Sequence, residues 1–492
     1  MSVTVAFVLI TVWWLTQDSR VPEFDPGLHA GYSFLFRDRI AAGHPFAWFN
    51  DWTQYPPLVH LIGAIATFVT GKGIWPGVMA QNLIFVPLLA AGCYGAAKIV
   101  YRSELAGFLA VVFALGTPMI VSQFHEFMLD APETAMVAAS VWLVLASDHF
   151  DRVGTAALAG LAVGFGFLVK ESFPAFVAGA VVVAAAQGVW RRNWRGLLAF
   201  VAVAAVVALP WYIHHWSQVR GLSHLASANG TDNSPGSGDP TRYSTKNAGW
   251  FLWSGLNNQN YAPMLAFAAV GVGVAIVGLV RRPWRFPLTL EILAGGLVAW
   301  AGATYSLPHD PRYSLPGLPY LAVLGAGWIT MLRPRWRLVT AAVLCAVASA
   351  NVVAVSTGFG RRVGITLPGA PKGSPLRERQ LTLFSDRGYT YNKPHRSGDI
   401  LGMMEALHKR GIHYIAWDYP GANTGPFNSE GLSALAQVAG LAVGNSPRKP
   451  PTDMVVLVHG PYAPGRTCRR LYDGTAVTPY LPLKQPVDVC PR

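Results

Sequence analysis

Carboxylates are concentrated at places in this chain where an apolar protein has little structural use for them. A polar run from Gln17 to Pro57 follows the first apolar segment at once, carrying Asp18, Glu23, Asp25, Asp38 and Asp51, the histidines His29 and His44, and many aromatic rings. It closes in Tyr55-Pro56-Pro57-Leu58. Loops of this length are uncommon unless they have a function, and carboxylates can take protons from attacking oxygens. We read the run as an active-site loop, with Glu23, His29 and Tyr55, and Glu126 further along the chain, as contacts to an acceptor or within the loop.

Three more polar groups interrupt apolar sequence: Gln123-Phe124-His125-Glu126 with Asp130, the pair Lys170-Glu171, and His309-Asp310-Pro311-Arg312-Tyr313. Ionisable residues at membrane depth are costly and usually line a polar cavity or a substrate path. Each group alone has a plainer reading. Asp130 and Lys170 would be paired structural charges at helix ends, Asp310 and Arg312 an ordinary turn beside Pro308 and Pro311, and His125 and Glu126 a solvated rim. Their joint placement favours a site.

The elements that position these groups follow from composition. Of 492 residues, 52% are hydrophobic and 13% charged, against roughly 25% charged in soluble domains, so the chain is an integral membrane protein. The net charge of +13 does not indicate nucleic acid, because the basic clusters are short span ends, as cytoplasmic loops require. Cys93, Cys345, Cys468 and Cys490 show no zinc-like spacing.

Spans are expected near residues 3–15, 75–97, 105–121, 131–146, 155–169, 173–189, 196–213, 263–280, 286–305, 314–331 and 338–355, which makes eleven. Val3 to Leu15 is short for a span, and Trp13 and Trp14 are expected at the outer interface. Leu58 to Thr70 is too short to cross and is assigned to a first outer loop, 16–74. With this count Lys98, Arg102, Arg152, Arg191, Arg192, Arg195, Arg281, Arg282, Arg285, Arg333, Arg335 and Arg337 share the cytoplasmic side, and the polar groups above fall outside. Arg37, Arg39 and Lys72 are the exceptions.

A second outer loop, 214–262, is rich in Gly, Ser, Asn and Asp around Asn229 to Pro240, which suits a lid over a cavity. Its flanking Trp211, Trp216, Trp250 and Trp253 read first as interface anchors. Beyond residue 355 the chain turns polar. Ser397-Gly398-Asp399 caps an amphipathic run to Lys409, Ile412 to Trp417 and Met454 to His459 read as strands, and Ser429 to Val438 as a helix. The expected fold is an α-helical polytopic membrane domain, 1–355, with about 11 transmembrane helices, followed by a C-terminal extracytoplasmic α/β domain, 356–492. Cys468 and Cys490 are candidates for a disulfide there.

The ordered set Phe24-Asp25-Pro26-Gly27-Leu28-His29-Ala30-Gly31-Tyr32, Tyr55-Pro56-Pro57-Leu58, Leu129-Asp130-Ala131-Pro132, Gly166-Phe167-Leu168-Val169-Lys170-Glu171 and Arg312-Tyr313 with Leu318-Pro319 resembles the GT-C glycosyltransferases. The resemblance is strongest to the aminoarabinose and protein-mannose transferase group, over residues 1 to 355. It implies a sugar donor carried on polyprenyl phosphate, a lipid, protein or polysaccharide acceptor, and a reaction at the outer face of the bilayer. Asp25 then matches the essential carboxylate of the first outer loop, acting as base toward the acceptor oxygen, and Asp130 the second acidic position. Lys170 and Arg312 are assigned to the donor phosphate, with His309 and Tyr313 as hydrogen-bond donors to it. Asp25 and Asp130, with Glu23 and Glu126 nearby in sequence order, are the oxygens available to a divalent Mg or Mn ion.

The sequence departs from the family at two points. Glu23-Phe24-Asp25 replaces an adjacent Asp-Glu pair, and Tyr55 stands where Lys or His often precedes Pro-Pro-Leu. The competing classes are a lipid or solute transporter and a non-catalytic envelope-assembly protein. A transporter would gather its charges near the midplane and show repeats, whereas here they lie at span ends.

Overall fold

Each apolar stretch expected to span lies on helical structure. The computed structural model describes residues 2–18, 22, 24–221, 244–281, 288–305, 310–366, 380–385, 398–409, 414–418, 429–443, 454–459, 469–472 and 487–491. Five of its helices, Ile74–Tyr101, Phe173–Trp190, Trp194–His214, Leu256–Arg281 and Pro334–Thr357, are each long and apolar enough to cross a bilayer. Glu104–Leu115 and Pro118–Phe124 make a sixth if counted as one bent span. Ser103 starts that pair by accepting the Ala106 N–H at 3.3 Å, and the bend of 64° falls at Pro118, whose ring cannot continue the helix. The chain is a multi-pass membrane protein.

The polar run read as a loop is mostly helical, which corrects that expectation. Helix α1, Ser2–Gln17, is followed by α2, Phe24–Ala41, a short α3, Ala47–Asn50, and α4, Leu58–Thr70. Its sequence carries the helical signals: Asp25 and Pro26 in the first turn, Arg39 in the last, and a buried stripe of His29, Ala30, Ser33 and Phe34. The many charges had obscured this period. The stripe packs on His60, Gly63, Ala64 and Thr67 of α4. His29 meets His60 and, two turns on, the Arg37 Nε donates to the Thr67 carbonyl at 3.3 Å, so the two helices run parallel. At thirteen residues α4 is about 20 Å long, short of the roughly 30 Å hydrocarbon core.

Close glycine contacts fix the helices that end at the polar groups. Helix α5, Ile74–Tyr101, lies against α8, Asp130–Ala146, where a methyl group on Gly92 would strike the backbone of Ala138 and one on Gly95 the Trp142 indole. Helix α9, Val153–Val169, lies on α11, Trp194–His214, through Gly160 and Gly164, which face Phe200 and Val207. This is the small-residue spacing that lets membrane helices approach. The first contact sets the start of α8, which carries Asp130, and the second sets the end of α9, which precedes Lys170.

Three tryptophans, Trp14, Trp211 and Trp250, are buried and depart from the anchor reading. Trp13 is half exposed, but Trp14 is buried and stacks on His125 with ring centroids 4.3 Å apart. Trp211 is likewise buried, stacked on Trp52 at 5.7 Å, which ties the returning chain after α3 to the end of α11. Asn229 to Pro240, the lid candidate, lies outside the described residues.

After Thr357 the described chain contains an antiparallel pair, Val363–Thr366 with Gln380–Phe384, helices Gly398–Lys409 and Ser429–Val438, and a five-stranded sheet. Tyr414–Asp418 and Met454–His459 run parallel in its centre, in register from Tyr414 with Met454 to Asp418 with Val458. Val487–Pro491 adds antiparallel to the second of these. Helix Ser429–Val438 packs on α2, where Gly31 meets the Gln437 side chain. Cys93 and Cys345 are free thiols, while Cys468 and the Cys490 side chain lie outside the described residues.

If the α9–α11 contact positions the site, Gly160→Val should cost about 1–3 kcal/mol, as overpacking does, and lower the melting temperature in detergent. Gly154→Ala, in open space, should leave it unchanged.

Candidate active site

Asp25 stands in the first turn of α2 and meets a cation from far along the chain. Arg312 reaches it with Nη2 2.5 Å from Asp25 Oδ2, while its Nε lies 2.9 Å from Asp310 Oδ2. Asp310 also caps the 3-10 turn Pro311–Gly317, its Oδ1 accepting the Arg312 N–H at 3.0 Å. The Gln259 amide donates to Ser314 Oγ at 2.7 Å and to the Pro311 carbonyl, which docks the turn on helix Leu256–Arg281. The turn reading of Asp310 is therefore met, and the same turn brings Arg312 to Asp25.

Lys170 follows α9 and turns toward the start of α8. Its ammonium lies 2.7 Å from Asp130 Oδ1 and 3.7 Å from Glu133 Oε2. Glu133 accepts from Ser172 Oγ at 2.7 Å through its other oxygen. Sequence reasoning missed Glu133, although the spacing Asp130-Ala131-Pro132-Glu133 puts both acids one turn apart on the same face.

A tyrosine joins the two clusters. The Tyr313 ring lies under both cations, 5.3 Å from the Arg312 guanidinium carbon and 5.6 Å from Lys170 Nζ, within cation–π range. Tyr55 is held edge-on to His29 at 5.1 Å and sits within electrostatic reach of Asp25, Lys170, Glu171 and Tyr313. His29 feels both Lys170 and Arg312. Asp25, Tyr55, Asp130, Lys170, Arg312, Tyr313 and His29 thus belong to one neighbourhood built from five separate parts of the sequence.

Glu126 and His125 precede Asp130 in the same connection. Both are buried, not a solvated rim, because Trp14 stacks on His125 and the Gln81 amide holds the Glu126 carbonyl at 3.2 Å. Glu23 and His309 lie outside the described residues.

Charge dictates what this arrangement can do. Burial alone would lower Lys170, but Asp130 and Glu133 outweigh it and hold the ammonium above its ordinary range. Arg312 is likewise favoured as a cation by Asp130, Asp310 and Asp25 against the penalty of burial. Burial, then the Asp25 charge, raises the Tyr55 phenol above its ordinary value, so it stays a neutral hydrogen-bonding group. Two cations are shared among four carboxylates, Asp25 and Asp310 on Arg312, Asp130 and Glu133 on Lys170. An incoming anion must therefore displace carboxylate oxygens from Lys170 and Arg312.

The residues proposed for a metal ion do not fit one. Asp25 and Asp130 each face a cation, and among the described residues no three His, Cys, Asp or Glu side chains group to hold a metal.

The order of helices, with an acid on the first connection and cations at the ends of later helices, is that of the GT-C fold. ArnT from Cupriavidus metallidurans, solved bound to undecaprenyl phosphate, matches 100% of this chain and 98% of its own length with TM-score 0.61, at 16% identity. Residues 54–214 match the family described as dolichyl-phosphate-mannose-protein mannosyltransferase. The lipopolysaccharide core galacturonosyltransferase RgtB of Rhizobium johnstonii is 26% identical over 78% of this chain and 76% of its own. The undecaprenyl phosphate-alpha-4-amino-4-deoxy-L-arabinose arabinosyl transferase 2 of Pseudomonas fluorescens is 28% identical over 30% of this chain. That match spans 28% of the relative's length.

Removing one member of a buried pair leaves an uncompensated charge, at a cost of about 3–5 kcal/mol. Lys170→Met should lower the melting temperature markedly, and adding Asp130→Asn with Glu133→Gln should recover much of the loss. Additive losses across the three substitutions would deny the coupling. Since Lys170 is raised above its ordinary value, its contribution is complete at neutral pH and is lost only as strongly alkaline pH deprotonates it.

Proposed function

We propose that the chain is an integral membrane glycosyltransferase that moves a sugar from a polyprenyl-phosphate carrier to a lipid, protein or polysaccharide acceptor on the extracytoplasmic face. The observation that carries this reading is the pair of cation–carboxylate clusters, Arg312 with Asp25 and Lys170 with Asp130, at one end of a fold shared with ArnT.

The reaction follows from charge and position. The donor phosphate takes Lys170 and Arg312 from their carboxylates, Arg312 presenting a planar fork and Lys170 a point charge. Arg312 then no longer neutralises Asp25, whose carboxylate accepts the proton of the acceptor hydroxyl as its oxygen bonds to the anomeric carbon. The carbon–oxygen bond to phosphate breaks on the opposite side, and its electron pair leaves with the polyprenyl phosphate. The two cations stabilise that charge, so no protonating acid is needed. One displacement inverts the anomeric configuration. Asp130 keeps Lys170 in place between turnovers.

In this reading residues 1–355 form the membrane domain with eleven spans, and 16–74 is an outer segment that lies on the bilayer's outer side. In the same reading 214–262 is an outer loop and 356–492 an outer α/β domain. The grouping of Arg152, Arg191, Arg192, Arg333, Arg335 and Arg337 at helix ends away from Asp130 and Lys170 supports this sidedness. With native cysteines replaced by serine, Ser217→Cys should react with an impermeant maleimide in right-side-out vesicles. Asp151→Cys should react only after permeabilisation. The reverse pattern would overturn the topology.

Transfer of labelled sugar from membrane lipid extract to endogenous acceptors tests the chemistry. Asp25→Asn should lose at least about a hundredfold in rate, the lower range for a general base, with the product inverted at the anomeric carbon. Activity should persist in EDTA, because Lys170 and Arg312 supply the charge for the leaving phosphate. Full activity of Asp25→Asn, or retained configuration, would refute the single displacement.

A further inference from the structure

The His29–His60 pair has no counterpart in the reaction as derived so far. Both rings are buried, at 3% and 0% exposure, and His29 Nδ1 lies 3.0 Å from His60 Nε2. One of these two nitrogens must carry the shared proton. The far nitrogen of His60, Nδ1, is sealed from solvent and has no hydrogen-bond partner among the described residues. Its ring is walled edge-on by Tyr32, with centroids 5.3 Å apart, and by Phe36 at 6.3 Å. An apolar wall tolerates a bare acceptor nitrogen better than an orphaned N–H donor, which is rare in buried sites. His60 therefore keeps its proton on Nε2 and donates it to His29 Nδ1. A neutral His29 then carries its own proton on Nε2, at the opposite edge of the ring.

The His29 ring belongs to the site's surroundings. His29 is one helical turn beyond Asp25, on the same face of α2. It touches Tyr55 and lies within the field of Lys170 and Arg312. We infer that His29 is a tautomer-fixed hydrogen-bond donor to an anionic oxygen of the donor phosphate, and that His60 is the positioning residue that fixes it; this rests on the transferase reading. A neutral donor suits this position, since a third cation beside Lys170 and Arg312 would be repelled, while an N–H still binds a phosphate oxygen. Burial, and for His29 also the charges of His60, Lys170 and Arg312, keeps both rings uncharged: His60 is lowered to about 3 and His29 falls well below its ordinary value.

Two measurements on the full-length protein in detergent test this. Solid-state NMR of protein carrying nitrogen-labelled histidine identifies His29 by the signal lost in His29→Gln, and should show its Nε2 protonated and its Nδ1 bare. In His60→Phe, which removes the donated proton, that preference should be lost. Binding of undecaprenyl phosphate should weaken about tenfold in His29→Phe, the loss of one hydrogen bond to a charged oxygen, and similarly in His60→Phe. His60→Gln, whose amide can still donate, should bind nearly as the wild type does. A His29 protonated on Nδ1, or wild-type affinity in His29→Phe, overturns the inference. A wild-type protein that binds no undecaprenyl phosphate sinks the transferase reading by itself, and the spectrum, which needs no lipid, then still decides the tautomer.

Discussion

Charge compensation between two cations and four carboxylates is the constraint on which the rest of the structure depends. Lys170 and Arg312 are mostly buried, and neither is tolerable there alone. Their partners come from α2, from the start of α8 and from the turn at Asp310, so these parts must meet for any of the charges to be stable. The glycine contacts that set α8 against α5 and α9 against α11 are what allow that meeting. A shift of either helix by the width of a methyl group would separate oppositely charged atoms now under 3 Å apart. Packing in the apolar interior and electrostatics at its edge are thus one problem solved together.

The same compensation makes the ligand-free site self-occupied. In the proposed reaction, carboxylate oxygens of Asp25, Asp310 and Asp130 hold the cations that phosphate oxygens would take over. An acidic surround also discourages adventitious anions, because displacing a carboxylate from Arg312 or Lys170 repays only a ligand that brings further contacts. In the proposed reaction those contacts are the lipid tail in the bilayer and the sugar in the cavity.

Much of this was legible in the sequence, and the limits have physical reasons. The long apolar runs identified helices because a bilayer imposes length and hydropathy together. Asp25, Asp130, Lys170 and Arg312 stood out because charge is expensive at membrane depth. The helical nature of 24–41 was obscured because its stripe is built from His29, Ala30, Ser33 and Phe34, two of them polar, so the period carries little hydropathy signal. Glu133 was readable from its spacing to Asp130 but looked like an ordinary acid in a first turn. The partnership of His29 with His60 was not readable, since it depends on two helices running parallel after a returning connection. Ser429–Val438 and Met454–His459 were found because their amphipathic and β-branched patterns are strong locally.

The docking of Ser429–Val438 onto α2 has a consequence for how such a protein can diverge. The helix that carries Asp25 is held on one side by the membrane core and on the other by a segment some four hundred positions later in the chain. Changes in the late segment are felt by the helix it packs on. Divergence is therefore constrained from within: the two segments must change in concert or keep their shared surface, in which Gly31 faces Gln437, as it is.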